Sequence, residues 1–298
     1  MRVVNYYLIT LFMFLISGIS RILSIKLRGK LGEFFGTLMM KANKKRQTIT
    51  KKNLKLAFPD KNDEWIDDIC KKSYWNLGIT LVELLAFTKY NKDNIHKYLK
   101  IENPELFFEN INKNKGIILL ASHFTNWEIL AYGGGIILDK SFLIIVLEQK
   151  NYVSDRVLNS IRTFHGNRVI SMTQAAREII KEIKNNGVLA LLADQSATAD
   201  KDVYVDFFGH PTSFYKSTAE LALRFRTPVL IPTIIRNKDY TYTVKILELD
   251  FSDLNYDKDG TKEFTQRYAK ILEKMASDNP EFWAWQHKKW KHTFNNLY

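Results

Sequence analysis

The 298-residue sequence predicts an α/β fold: a central, mostly parallel sheet covered by helices and preceded by an N-terminal transmembrane helix and a helical N-terminal portion. Two observations carry that expectation. From Lys115 onward, apolar strand-like runs alternate with amphipathic helical stretches, a rhythm that puts helices on both faces of a parallel sheet. Before that point apolar residues recur at spacings of three and four, as in Trp65, Ile66, Ile69, Tyr74, Leu77, Leu81, Leu84 and Leu85, which is the helical period.

At the N-terminus, Val3 to Ser20 run for 18 residues without a charge, just long enough to cross a bilayer as a helix. Only Arg2 precedes this stretch, whereas Arg21, Lys26, Arg28, Lys30, Lys41, Lys44, Lys45 and Arg46 follow it. The positive-inside bias then leaves a single anchor with the bulk of the protein on the cytoplasmic side, and the basic tract can settle on anionic lipid. Residues 1–30 are expected to form the anchor and its basic flank, 31–112 a helical portion packed on the catalytic domain, and 113–298 the α/β domain. Pro59, Asp60 and Asn62 mark a turn within the helical portion.

The strand candidates are Ile117 to Ser122, Phe142 to Leu147, Arg168 to Ser171, Val188 to Ala193, Pro228 to Ile235 and Tyr242 to Leu249. Helices are expected near Trp127 to Leu138, Val153 to Phe164, Gln174 to Lys184 with Thr173 as N-cap, and Ser217 to Phe225. A last helix spans Thr261 to Ala276, with Phe264, Tyr268, Ile271, Leu272 and Met275 on one side.

Composition narrows the chemistry. The 44 Lys and Arg outnumber the 32 Asp and Glu to give +12, which suits an anionic partner such as phospholipid headgroups, nucleic acid or an acidic carrier protein. Cys70 is the single cysteine, which rules out an intramolecular disulfide and a cysteine-rich zinc site. There is no GxSxG elbow, P-loop, GxGxxG after a strand or HExxH, so serine hydrolases, nucleotide binders and zinc proteases lose their usual signatures.

What stands out is GIILLASHFTNWE, Gly116 to Glu128. The run Ile117 to Ala121 delivers His123 to the end of a buried strand, where open α/β sheets bind ligands. Glu128 follows in the first turn of a helix capped by Asn126, and across a strand-to-helix turn the two side chains can face each other. A base with an orienting carboxylate but no resident nucleophile implies that the nucleophile is a substrate hydroxyl or water. Arg156, Arg162 and Arg168 read either as a solvated helix face or as a fork-shaped anion donor.

Asp194 and Gln195 end the run LALLADQ and point to the same rim as His123, as a loop cap or as part of the site. Phe207, Phe208 and Phe214 in VDFFGHPTSF are core aromatics or the lining of an apolar slot. Trp283, Trp285 and Trp290, interleaved with Lys288, Lys289 and Lys291, suit a membrane interface or a nucleic-acid strand. His287 and His292 lack the carboxylate support of a metal site.

In order along the chain, ITKKNLKLAFPD, ASHFTNWE, DRVLNSIRTFHGNRVI, LLADQ, VDFFGHPTS, TPVLIP and PEFWAWQHKKWK resemble the lipid A biosynthesis acyltransferase family of Gram-negative bacteria, the lauroyl and myristoyl transferases within the lysophospholipid acyltransferase superfamily. The resemblance implies an α/β sandwich with a hydrocarbon groove at the bacterial inner membrane. It implies that His123 and Glu128 form the catalytic dyad and that Arg162 binds phosphate or the reacting acyl group. Asn126, Asp194, Gln195 and Phe208 complete the expected substrate site. The implied reaction moves a fatty acyl chain from acyl carrier protein to a hydroxyl of a lipid A precursor or related glycolipid, with no metal, cofactor, covalent intermediate or nucleic acid.

The chain departs from the commoner pattern at Thr125 and Asn126, and at Lys216 and Ser217. The alternatives are an acyltransferase for another glycolipid or a lysophospholipid, a hydrolase with the same dyad, and a non-enzymatic basic membrane binder.

Overall fold

The computed structural model describes residues 2–149, 151–196, 202–294 and 297–298. Among the described residues, seven strands form one sheet: β1 (Leu99–Ile101), β2 (Ile117–Ala121), β3 (Phe142–Val146), β4 (Arg168–Ser171), β5 (Val188–Leu192), β8 (Val229–Arg236) and β9 (Tyr242–Glu248). Their spatial order is β1-β9-β8-β2-β5-β3-β4, and every neighbouring pair is parallel except β8 with β9. The predicted mostly parallel sheet is therefore present. Outside it, β6 (Asp202–Phe207) and β7 (His210–Tyr215) make a separate antiparallel hairpin.

Alternate residues of the central strands feed two cores, one on each face. In β2, Ile118 and Leu120 join one cluster with α9 (Ser217–Phe225), α10 (Lys258–Asp278) and the hairpin, while Ile117 and Leu119 join another with α5 (Glu105–Ile111) and α6 (Trp127–Ile137). Continuous apolar strands such as IILLA are what a sheet covered on both faces demands. The chain leaves β2 through α6 toward β3, and leaves β5 through the hairpin and α9 toward β8, in opposite directions and over opposite faces. Adjacent strands whose exits diverge in this way open a crevice at their carboxyl ends.

The N-terminal portion comprises α1 (Arg2–Ile22), α2 (Ile25–Ala42), α3 (Lys44–Ala57) and α4 (Asp63–Leu84). Side-chain caps start the last three of these: Ser24, Asn43 and Asn62 each accept a backbone N–H of the first turn. The expected transmembrane anchor is not supported, because among the described residues no helix is long and apolar enough to cross a membrane.

One face of α1 instead packs on the protein. Thr10 and Ser20 are buried, and the Ser17 hydroxyl donates to the carbonyl of Leu85, so this face docks on the body of the protein. The opposite face shows Tyr7, Leu11, Phe12, Phe14, Leu15 and Ile19 to the outside. Nor is Arg28 part of a solvated basic flank, being fully buried against Tyr90 and Tyr98.

Other differences have equally local causes. The stretch before Lys115 is not all helical, since three-residue β1 pairs along β9. The hairpin turns on Phe208 and Gly209, both at positive φ, the backbone of a two-residue turn that suits strand twist. Thr173 does not cap the helix α8 (Ala175–Lys184); its hydroxyl bonds Ser171 instead. Trp283, Trp285 and Trp290 are buried at 4, 1 and 0 % exposure, so they fill the core rather than a membrane interface.

Helices α2 and α4 cross backbone to backbone. A Cβ on Gly78 would lie 2.2 Å from the carbonyl oxygen of Gly32 and 2.5 Å from the nitrogen of Gly36. Gly78→Ala is therefore expected to destabilise the protein by about 1–3 kcal/mol, read as a lower thermal unfolding midpoint. Gly18→Ala, where nothing stands within 4 Å, should leave the midpoint unchanged or raise it.

Candidate active site

The register of β2 and β5 builds the site. Ala121 is paired with Leu192, and two residues beyond each of them stand His123 and Asp194. The imidazole Nδ1 lies 2.8 Å from Asp194 Oδ1. The Asp194 side chain is 4 % exposed and that of His123 22 %, so the carboxylate is enclosed while the ring keeps one edge open. A carboxylate on Nδ1 fixes the proton there and leaves Nε2 as the basic nitrogen of the neutral ring.

The electrostatics of the pair are consistent with that arrangement. Burial pushes the His123 pKa down, but the charge and hydrogen bond of Asp194, aided by Glu128, outweigh burial and the opposing Arg162, and the value sits above the ordinary histidine range. Burial works against an ionised Asp194, yet His123 and then Lys289 hold its pKa below the usual carboxylate value. Nearby, His287 is pushed down to about 4, by burial first and by Lys289 second, so it stays neutral at pH 7.

Glu128 does not make the hydrogen bond to His123 that the sequence suggested. It sits in the first turn of α6 and forms a two-pronged pair with Arg162, at the end of helix α7 (Tyr152–Arg162): Nε to Oε2 at 2.9 Å and Nη2 to Oε1 at 2.5 Å. Arg162 Nη1 donates to Asn159, so this guanidinium is committed to protein partners. Its pKa is raised because Glu128 outweighs the cost of burial. Arg168 pairs with Glu182 and Arg156 is exposed, so the three arginines do not converge.

Asn126 is fully buried and caps α6, its Oδ1 accepting from Ile129 N at 3.0 Å while its amide nitrogen donates to Glu83 at 2.7 Å. Both ends of the side chain are thus used by the fold. The Gln195 amide nitrogen is 3.4 and 3.5 Å from the two ring nitrogens of His123, which is long for hydrogen bonds and sets the amide over the ring. Phe208 stands on the hairpin turn in an aromatic cluster with Phe58, Phe207 and Trp285.

Of the predicted residues, the structure brings His123, Asp194 and Gln195 together at one rim, and Glu128 and Arg162 beside it. The carboxylate on the imidazole is the one that sequence spacing did not single out. The signal for it was present: ILLASH and LALLAD each end a buried run and carry a polar group at the same offset from paired strand ends.

Thr125 shapes the corner between strand and helix. Its φ of +52° is unusual for a β-branched residue and costs about 1–3 kcal/mol unless its surroundings enforce it. They do: its nitrogen donates to Phe282 O, its hydroxyl donates to Ile234 O, and its carbonyl accepts from Asn76 and Thr80.

Comparison with known proteins adds the ancestry of this arrangement. The family model for bacterial lipid A biosynthesis acyltransferases matches residues 1–292. A lipid A biosynthesis acyltransferase of Haemophilus influenzae is 26 % identical over 268 residues, covering 88 % of this chain and 83 % of the relative. A lipid A biosynthesis palmitoleoyltransferase of Escherichia coli is 21 % identical over 263 residues, covering 88 % and 84 %. A lauroyltransferase of the same organism is 21 % identical over 264 residues, again covering 88 % and 84 %. With the family pattern spanning almost its whole length, this chain belongs to the bacterial lipid A biosynthesis acyltransferases.

Proposed function

We propose that the protein is an O-acyltransferase that moves a fatty acyl chain from an acyl carrier protein to a hydroxyl of a lipid A precursor or closely related glycolipid. The observation that carries this reading is the His123–Asp194 hydrogen bond at the carboxyl edge of the sheet, in a chain of this family. The E. coli relatives are a palmitoleoyltransferase and a lauroyltransferase, both acyl transfers.

In the proposed mechanism His123 Nε2 takes the proton of the acceptor hydroxyl, and the oxygen attacks the thioester carbonyl of the donor. The tetrahedral intermediate collapses by breaking the carbon–sulfur bond, and the proton held by His123 passes to the departing carrier thiolate. Asp194 keeps the ring in the productive tautomer and stabilises the imidazolium. Glu128 adds a second negative field to that cation, and Arg162 holds Glu128 in place. The Gln195 amide, 3.4 Å from His123 Nε2, is assigned to the developing oxyanion.

Two surface features support the substrates. A net charge of +12 complements an acidic carrier. Helix α1 buries hydroxyls and turns Leu11, Phe14 and Leu15 outward, and the exposed Leu27, Phe34 and Leu38 of α2 add to the apolar surface. An apolar surface of that kind beside exposed Lys26, Lys30 and Lys41 is suited to lie in a membrane interface.

His123→Ala is expected to lower acyl transfer on the order of a hundredfold to ten-thousandfold, scored by mass spectrometry of one acyl chain added to a phosphorylated disaccharide acceptor. Normal turnover by the purified variant refutes the base. Asp194→Asn should cost on the order of a hundredfold and move the acid limb of kcat/KM to lower pH. The sign follows from the raised His123 pKa: activity is lost as pH falls through it, and removing the Asp194 charge lowers it. Changing Leu11, Phe14 and Leu15 together to Glu should release the protein from anionic phospholipid vesicles without altering its circular dichroism. Unchanged vesicle binding overturns the interfacial assignment.

A further inference from the structure

Helix α4 is apolar over most of its buried length, yet one stripe of it is not. Asn76, Thr80 and Glu83 lie at positions i, i+4 and i+7, hence on one helical face, and they are 4, 0 and 0 % exposed. Burying three polar side chains side by side is unfavourable unless each is satisfied by specific partners.

Each of the three has a partner in one of two consecutive residues, Thr125 and Asn126, and Asn76 also donates to Phe282 O. The Asn76 amide donates to Thr125 O at 3.1 Å and the Thr80 hydroxyl donates to the same oxygen at 3.0 Å. Glu83 Oε2 accepts from Asn126 Nδ2 at 2.7 Å and from the Tyr242 hydroxyl at 2.6 Å. These two residues link His123 to Glu128: Thr125 makes the turn at positive φ, and Asn126 caps the helix that carries Glu128.

Glu83 is also tied into the sheet. Arg236 Nε donates to the Tyr242 hydroxyl at 2.8 Å, and Tyr242 and Glu83 raise the Arg236 pKa against the effect of burial. The carboxylate therefore joins α4, the last strand of the sheet and the loop after β2 at one point. Its two donors come from elements that are far apart in sequence, so it reports on their relative placement.

From this convergence we infer that Glu83 is a positioning residue for the active site, acting through Asn126 on His123 and Glu128, with Asn76 and Thr80 holding the adjoining turn. The helical N-terminal portion is then part of the catalytic framework. Glu83 itself touches neither the imidazole nor the Glu128 carboxylate among its hydrogen-bond partners. The inference rests on the proposed base role of His123 for its consequence in turnover, but not for its geometry.

The test uses the full-length protein in phospholipid or detergent, with the acyl transfer assay and the ring resonances of ¹⁵N-labelled histidine. Glu83→Ala should lower kcat by about tenfold to a hundredfold with little change in KM for the acceptor, and should disturb the His123 Nδ1–H resonance. Glu83→Gln keeps an acceptor for Asn126 and should restore most of the rate. Asn126→Ser keeps the helix cap but loses the donor to Glu83, so combining it with Glu83→Ala should cost little beyond either alone.

Ile69→Ala, a buried apolar truncation about two turns N-terminal of Asn76 on the same helix, serves as the control for simple loss of stability. Assayed below its unfolding temperature, it should lower the midpoint while sparing both kcat and the His123 resonance. A Glu83→Ala protein that behaves like this control overturns the inference, as does a Glu83→Gln protein as impaired as Glu83→Ala. If Glu83→Ala disturbs His123 while His123→Ala turns over normally, the positioning role stands and the base reading falls.

Discussion

The hydrogen bond between His123 and Asp194 depends on the parallel pairing of β2 with β5, and the functional reading rests on that bond. Side chains alternate along a strand with a period of two, so a slip of one residue would turn the group at either strand end toward the opposite face. The register is held by strands that are apolar on both sides and feed two separate cores. Such packing penalises every alternative pairing. The His123–Asp194 pair, built from the ends of two central strands, thus inherits its geometry from a well-buried part of the protein.

Around that pair the site is ordered by charges that need each other. Glu128 and Arg162 have side chains only 10 and 16 % exposed, and removing one partner of such a pair strands the other at a cost of about 3–5 kcal/mol. Their mutual commitment takes both out of direct contact with His123 but leaves the field of Glu128 on the ring. The loop between His123 and Glu128 is held where α4, β8 and the segment near Phe282 each bond to Thr125. Strain at Thr125 is maintained by more contacts than a surface turn could supply.

Much of this was legible beforehand. The main sheet strands and the helices between them fall within a residue or two of the positions that periodicity indicates, and the last helix within three, because long apolar runs have few other places to go. The rim shared by His123 and Asp194 was legible for the same reason. Short or atypical elements were not: β1 has three residues, too few to show an alternation, and the β6–β7 hairpin hides its turn in Phe208–Gly209. In α1 the apolar run suggested a solitary span, but Thr10, Ser17 and Ser20 share a face and dock on the body. The tryptophans near the C-terminus looked interfacial beside their lysines and instead fill the core, where Trp285 donates to Pro280 O.

Read alone, the amino-acid sequence determined the α/β class, the family and the placement of a histidine at a strand end, since each follows from local periodicity and contiguous motifs. Which carboxylate meets the imidazole was decided only in three dimensions. Glu128, five residues away in sequence, turns to Arg162, while Asp194, 71 residues away, reaches Nδ1. The partners of Asn126 were decided there too, as a buried cap tied to Glu83. The physical reason is that a buried charge goes to the partner that best compensates its lost hydration, and that choice depends on distances set by packing, which sequence separation does not measure.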